Sequence, residues 1–113
     1  MKITEQITDN ITIIQLDGRL DAHTSESVEI FIREKIEKGQ YKFVLDMENV
    51  EFIDSAGLRV VLVVARDLRN THKGDLHIAI LQPAVSRVFE ISGLNNVLYI
   101  YNNSGNAVQG FSN

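Results

Sequence analysis

The chain has 113 residues, enough for one compact domain, and its 44% hydrophobic and 23% charged content supports a packed core and excludes disorder. A formal net charge of -4 excludes a general affinity for nucleic-acid backbones or anionic membranes, both of which need clustered basic charge. With no cysteine, disulfide frameworks, thiolate metal sites and cysteine nucleophiles are excluded together.

The segment before Gly18 reads as β-structure, with Ile11, Ile13 and Gln15 on one face and Thr12, Ile14 and Leu16 on the other. Asn10 marks a preceding turn, and residues 3–7 are expected to pair with this strand. After Asp21 the period changes: Thr24 or Ser25 can cap a helix, Glu26 complements its dipole, and Val28, Phe31, Ile32, Lys35 and Ile36 recur at helical spacing up to Gly39. Phe43, Val44 and Leu45 form a short apolar run followed by acidic turn residues, the pattern of a central strand buried on both faces. Residues 56–73 then read as a long helix stopped by Gly74. Projection at about 100° per residue puts Leu58, Val61, Leu62, Ala65 and Leu68 against the sheet.

A further strand is expected over 77–81, a short helix between Pro83 and Gly93, and a last strand over 97–101. Residues 104–111 form a helix candidate interrupted by Gly105 and Gly110. Strands alternating with helices predict an α/β domain with a small, mostly parallel sheet, the first two strands adding an antiparallel edge. A single domain over 1–113 is expected, with a weakly ordered tail over 103–113. The N-terminus lacks an apolar signal core, and the densest apolar run, 60–65, is far shorter than the roughly 20 residues that cross a bilayer. A soluble, cytoplasmic protein, monomeric when free, follows as the expectation.

The most informative junction is Val50-Glu51-Phe52-Ile53-Asp54-Ser55-Ala56-Gly57-Leu58, where small polar residues stand between a buried strand and a helix. Helix N-termini at the carboxyl ends of parallel strands offer backbone N–H groups and partial positive charge to an anion, so a phosphate on Ser55 would be tolerated there. Plain helix capping by Asp54 and Ser55 explains the same residues equally well. The side of the helix away from the predicted core carries Ala56, Val60 and Val63, an apolar patch that invites a partner, with Arg59 on its rim. A hydrolase elbow would need glycine at Ile53, and His23, His72 and His77 lie in separate elements without metal-ligand spacing. Arg66, Arg69 and Lys73 form a basic stripe interrupted by Asp67, the mark of a solvated face, and no phosphate-binding glycine loop is present.

Asp54-Ser55-Ala56-Gly57-Leu58 after an apolar strand resembles the signature of STAS-domain anti-sigma-factor antagonists. Gly18-Arg19-Leu20-Asp21, followed by Ala22-His23-Thr24 and a helix, resembles that family's first block, and the element order is similar as far as Tyr101. The resemblance implies a binding protein and not an enzyme, with no cofactor of its own and helices mainly on one side of the sheet. It implies that Ser55 is the phosphoacceptor, supported by Asp21, Asp54, Ala56 and Gly57. The partner surface it implies comprises Asp21, Ala22, His23, Thr24, Asp54, Ser55, Ala56, Arg59, Val60 and Val63. The unphosphorylated form would bind an anti-sigma factor of the histidine-kinase-like ATPase fold, releasing a sigma factor. That partner, carrying ATP and Mg, would phosphorylate Ser55 and end the complex, and a metal-dependent serine phosphatase would reset it. The alternative is a constitutive STAS scaffold in a larger signalling complex, never phosphorylated. The glycine- and asparagine-rich tail after Asn102 departs from the acidic helix that relatives usually carry.

Overall fold

The computed structural model describes residues 1–112. The chain opens with an antiparallel pair, β1 (Lys2–Thr8) and β2 (Ile11–Leu20), joined through Asp9 in the left-handed region at φ 50. Three parallel strands extend the sheet: β3 (Lys42–Ile53), β4 (Asp75–Ala79) and β5 (Ile100–Tyr101). The order across the sheet is β1-β2-β3-β4-β5, so β3 is central and β1 is the antiparallel edge.

Three helices, α1 (Ser25–Glu37), α2 (Ser55–Thr71) and α3 (Pro83–Ser92), cover one face. There Val28 and Ile32, Val61 and Leu68, and Val85 and Phe89 close over Ile14, Leu16, Phe43, Leu45 and Met47. The short α4 (Ser104–Gln109) packs Ala107 on the other face against Ile11, Val44 and Ala79. This two-sided cover is why Phe43 to Leu45 reads as an unbroken apolar run. The expected α/β class, mixed sheet and helices mainly on one side are all present. No helix among the described residues is long and apolar enough to cross a membrane.

Several boundaries differ from the sequence reading. Acidic residues expected to turn after Leu45 stay inside β3, because Asp46, itself buried, accepts bonds from the Glu48 N–H, the Gln15 amide and the Ser104 hydroxyl. The strand therefore runs on to Ile53, with two register shifts against β2, between Gln15 and Asp17 and between Gly18 and Arg19, each taking one extra residue from β3. The stop at Gly74 is shared with the residues before it: α2 ends at Thr71 with His72 as C-cap, Lys73 takes the left-handed conformation at φ 56, and the Gly74 N–H donates to the Leu68 carbonyl at 2.9 Å. Glycine is needed at 74 because a Cβ there would lie 1.9 Å from the Tyr41 carbonyl oxygen. The last strand is shorter than expected, since Leu94–Asn96 winds into a 3-10 turn that holds Val97 through its N–H. The helix candidate in the tail is present despite its glycines, capped by Asn103, whose Oδ1 accepts from the Asn106 N–H at 2.7 Å. Buried His77 anchors it, with Nδ1 2.9 Å from the Ala107 carbonyl oxygen and its ring stacked 3.7 Å from Phe111.

Candidate functional site

Leu20 and Ile53 are the last register pair of β2 and β3, so the loops that leave these parallel strands emerge side by side. The backbone joins them first, the Asp54 N–H donating to the Leu20 carbonyl at 3.3 Å. Asp54 then stands in extended conformation as the N-cap of α2, its Oδ1 accepting from the Ala56 and Gly57 N–H groups at 2.9 and 3.1 Å. Its other oxygen, Oδ2, accepts from the Ala22 N–H at 3.2 Å, across 32 residues of chain. One carboxylate thus caps a helix and fastens the neighbouring loop to it. Close approach is possible because residue 57 has no side chain: a Cβ there would lie 2.5 Å from the Leu20 carbonyl oxygen and 2.8 Å from Ile53 Cγ1.

The first loop is organised around Asp21 and Thr24. The Thr24 hydroxyl accepts from the Asp21 N–H at 3.0 Å and donates to the Arg19 carbonyl at 2.6 Å. Of the two cap candidates, Thr24 and Ser25, Thr24 holds the N-cap position of α1, but its hydroxyl turns back into the loop and caps no N–H of the helix. The His23 N–H donates to Asp21 Oδ1 at 2.9 Å, and Arg19 Nε lies 3.5 Å from Oδ2. The His23 N–H, with help from the Arg19 guanidinium, holds the Asp21 carboxyl below the usual carboxylate range. Arg19 also lies 4.0 Å above the Phe52 ring.

Ser55 is the first residue of α2 and is exposed, and its hydroxyl makes no hydrogen bond within the described residues. The next three N–H groups are occupied, those of Ala56 and Gly57 by Asp54 Oδ1 and that of Leu58 by the Asp54 carbonyl. This corrects the expectation of free N–H donors for an anion at this helix start. The Ser55 N–H alone in this first turn has no partner among the described residues, so an anionic group on Ser55 must draw most of its positive charge from side chains.

The structure brings Asp21, Ala22, His23, Thr24, Asp54, Ser55 and Ala56 together on one rim. Arg59 follows one turn later, 64% exposed and 3.5 Å from Glu29 on α1. Val60 is not on this surface: at 2% exposure it lies in the core with Gly57, Val61, Val64, Ala65 and Leu68. The inward face of α2 is therefore rotated from the one predicted, Leu58, Leu62 and Val63 being half-buried at its margins, and the apolar patch expected around Val60 is absent. Sequence reasoning gave no role to Phe52 or Glu29; Phe52 follows from its register opposite Arg19, a long-range pairing that no local pattern announces.

Comparison with known proteins agrees with this geometry. The STAS domain family profile matches residues 2–107. BtrV of Bordetella bronchiseptica, provisionally assigned as an anti-sigma factor antagonist, is 37% identical over 111 residues, 98% of this chain and 95% of the relative. An anti-sigma F factor antagonist of Paenibacillus polymyxa is 36% identical over 99 residues, 87% of this chain and 84% of the relative. Among solved structures, the anti-sigma factor antagonist SpoIIAA in its unphosphorylated form superposes with a TM-score of 0.82 at 25% identity, covering 98% of this chain and 96% of that one. The Bacillus protein in its phosphorylated form gives a TM-score of 0.75 at the same 25% identity, covering 97% and 99%. By its fold, its paired loops and a sequence match that spans nearly its whole length, the chain belongs to the STAS domain family.

Proposed function

We propose that this chain is an anti-sigma factor antagonist whose rim of paired loops binds an anti-sigma factor, and that phosphorylation of Ser55 switches this binding off. The observation that carries the reading is the placement of Ser55: exposed, free of hydrogen bonds within the described residues, and beside loops that Asp54 holds rigid. Relatives at 37% and 36% identity carry anti-sigma factor antagonist names, which supports the partner class.

In this reading the chain is a substrate and a ligand, not an enzyme. The partner is an ATPase-fold serine kinase that carries ATP and Mg. The Ser55 oxygen forms the new bond to the γ-phosphorus, the bond to the ADP oxygen breaks, and the hydroxyl proton passes to a base on the kinase. The product gains about -1.5 to -2 charge in the middle of the contact surface, next to Asp54 and Asp21. A metal-dependent phosphatase restores the hydroxyl. The free protein acts as a cytoplasmic monomer.

Pull-down from native lysate with wild-type, Ser55→Ala and Ser55→Asp baits, read by mass spectrometry, tests the proposal. Wild type and Ser55→Ala should retain an ATPase-fold kinase, and Ser55→Asp should retain at least about tenfold less, equivalent to ~1.4 kcal/mol. Equal retention by all three baits would indicate the constitutive scaffold instead.

A further inference from the structure

We propose that Arg59 is the built-in cation for a phosphorylated Ser55, leaving Glu29 and closing on the phosphate when the serine is modified. The inference rests on the reading of Ser55 as phosphoacceptor and adds a second component to its switch.

A phosphate at Ser55 finds few donors in the backbone, because Asp54 already occupies the N–H groups of Ala56, Gly57 and Leu58. Its nearest charged neighbours in the loops, Asp54 and Asp21, are anions. Of the cations near the rim, Arg19 has two contacts, its guanidinium lying 4.0 Å above the Phe52 ring as well as 3.5 Å from Asp21, whereas Arg59 has only the one to Glu29 among the described residues. Arg59 is differently placed. It lies four residues after Ser55 on the same helix, where side chains are neighbours about 5–6 Å apart at their Cβ atoms. Its contact with Glu29 is long, at 3.5 Å, and its side chain is 64% exposed, so little holds it there.

Glu29 does not depend on Arg59. Arg33 Nη2 lies 3.5 Å from Glu29 Oε2, and Arg33 also pairs with Asp67, so Glu29 keeps a partner when Arg59 departs. A doubly charged phosphate with three oxygens competes favourably for a guanidinium against one carboxylate, and can take it in bidentate geometry. The exchange replaces an ion pair between α1 and α2 with one inside the first turn of α2. Phosphorylation then changes the rim twice over, adding negative charge at Ser55 and withdrawing the exposed positive charge of Arg59 from any partner carboxylate.

The test uses the full chain with phosphoserine installed at position 55 by codon suppression, and follows its second ionisation, near about pH 6, by phosphorus NMR at low salt. Arg59→Gln should raise that ionisation by about half a unit relative to wild type, with Arg59→Lys in between. Arg66→Gln, which removes the same charge from an exposed position two turns farther along α2, should leave it unmoved. An equal shift in Arg59→Gln and Arg66→Gln, or none in either, overturns the proposal. Because the phosphate is installed without a kinase, that failure leaves Ser55 phosphorylation itself standing; failure of a cognate kinase to modify Ser55 is read separately, by mass spectrometry of the protein from cells.

Discussion

Asp54 offers the sharpest test of how the two loops are held, because its two oxygens do separable jobs. Asp54→Ala removes an N-cap worth ~1 kcal/mol, a charge–dipole term of ~0.3–1 kcal/mol and a cross-loop bond of ~0.5–1.5 kcal/mol. Water reaches the exposed Ala22 N–H, so the sum falls toward the lower end, and a loss of about 2 kcal/mol is expected. Asp54→Asn keeps an oxygen for the cap, but its amide nitrogen cannot accept from the Ala22 N–H, and the charge is gone. It should lose about 1 kcal/mol. In a domain of this size each ~1 kcal/mol lowers Tm by roughly 4 °C, so calorimetry should rank wild type, Asn and Ala at steps of about 4 °C. Asparagine as stable as aspartate would show that the bond to Ala22 contributes nothing. Alanine no worse than asparagine would refute the capping role on which the placement of Ser55 depends.

Two other outcomes follow from the same geometry. Gly57→Ala improves helix propensity by ~1 kcal/mol but drives a Cβ to 2.5 Å from the Leu20 carbonyl oxygen, an overpacking cost of ~1–3 kcal/mol. The net loss of about 1 kcal/mol, read as a lower urea midpoint, should come with weaker partner binding because the Ala22 loop is pushed away; a more stable variant would contradict the close contact. For Asp75, burial raises the carboxyl pKa, but the Arg69 Nε–H at 2.7 Å and the Leu76 N–H at 2.8 Å, with the His77 ring 3.6 Å away, outweigh it and leave the group below its ordinary value. A depressed folded value means stability that is complete above the unfolded pKa of about 3.9 and is lost as pH falls below it. Urea midpoints should therefore decline below about pH 4, less steeply in Asp75→Asn, with Asp21 and Asp67 sustaining the remaining slope. Identical slopes in the two proteins would remove Asp75 from the account.

Element order was legible because this chain punctuates clearly: Gly39 at φ 87 and Gly93 at φ 80 follow helices, and Pro83 opens one. The rim was legible through Asp54, whose capping position follows from local sequence, and through the resemblance of the two loop motifs to a known family. The orientation of α2 was not. Residues 60–65 are apolar without interruption, so helical periodicity offers several nearly equivalent faces. Docking chose the face with the smaller side chains, Gly57, Val60, Val64 and Ala65, which lets the helix approach Leu20 and Ile53 and leaves bulkier Leu58 and Leu62 at the margins. Asp46 escaped for a related reason: it reads as a turn former until Gln15 and Ser104, 31 and 58 residues away, supply its donors.

The same geometry explains why a switch at Ser55 need not act through the fold. Every bond that joins the two loops ends on Asp54 or on the backbone of Leu20, and none uses the Ser55 hydroxyl. Charge can therefore be added at residue 55 without breaking a contact that positions the rim. The occupied helix N–H groups have a second consequence, because a helix start that cradled the phosphate would neutralise part of the new charge in place. Here Asp54 holds the donors of Ala56, Gly57 and Leu58, so most of the charge proposed for residue 55 would stay directed outward, and the exposed Arg59 is the side chain placed to answer it. Under the proposed phosphorylation of Ser55, a capping aspartate at position 54 would both keep the loops in register and leave the phosphate repulsive toward an acidic partner.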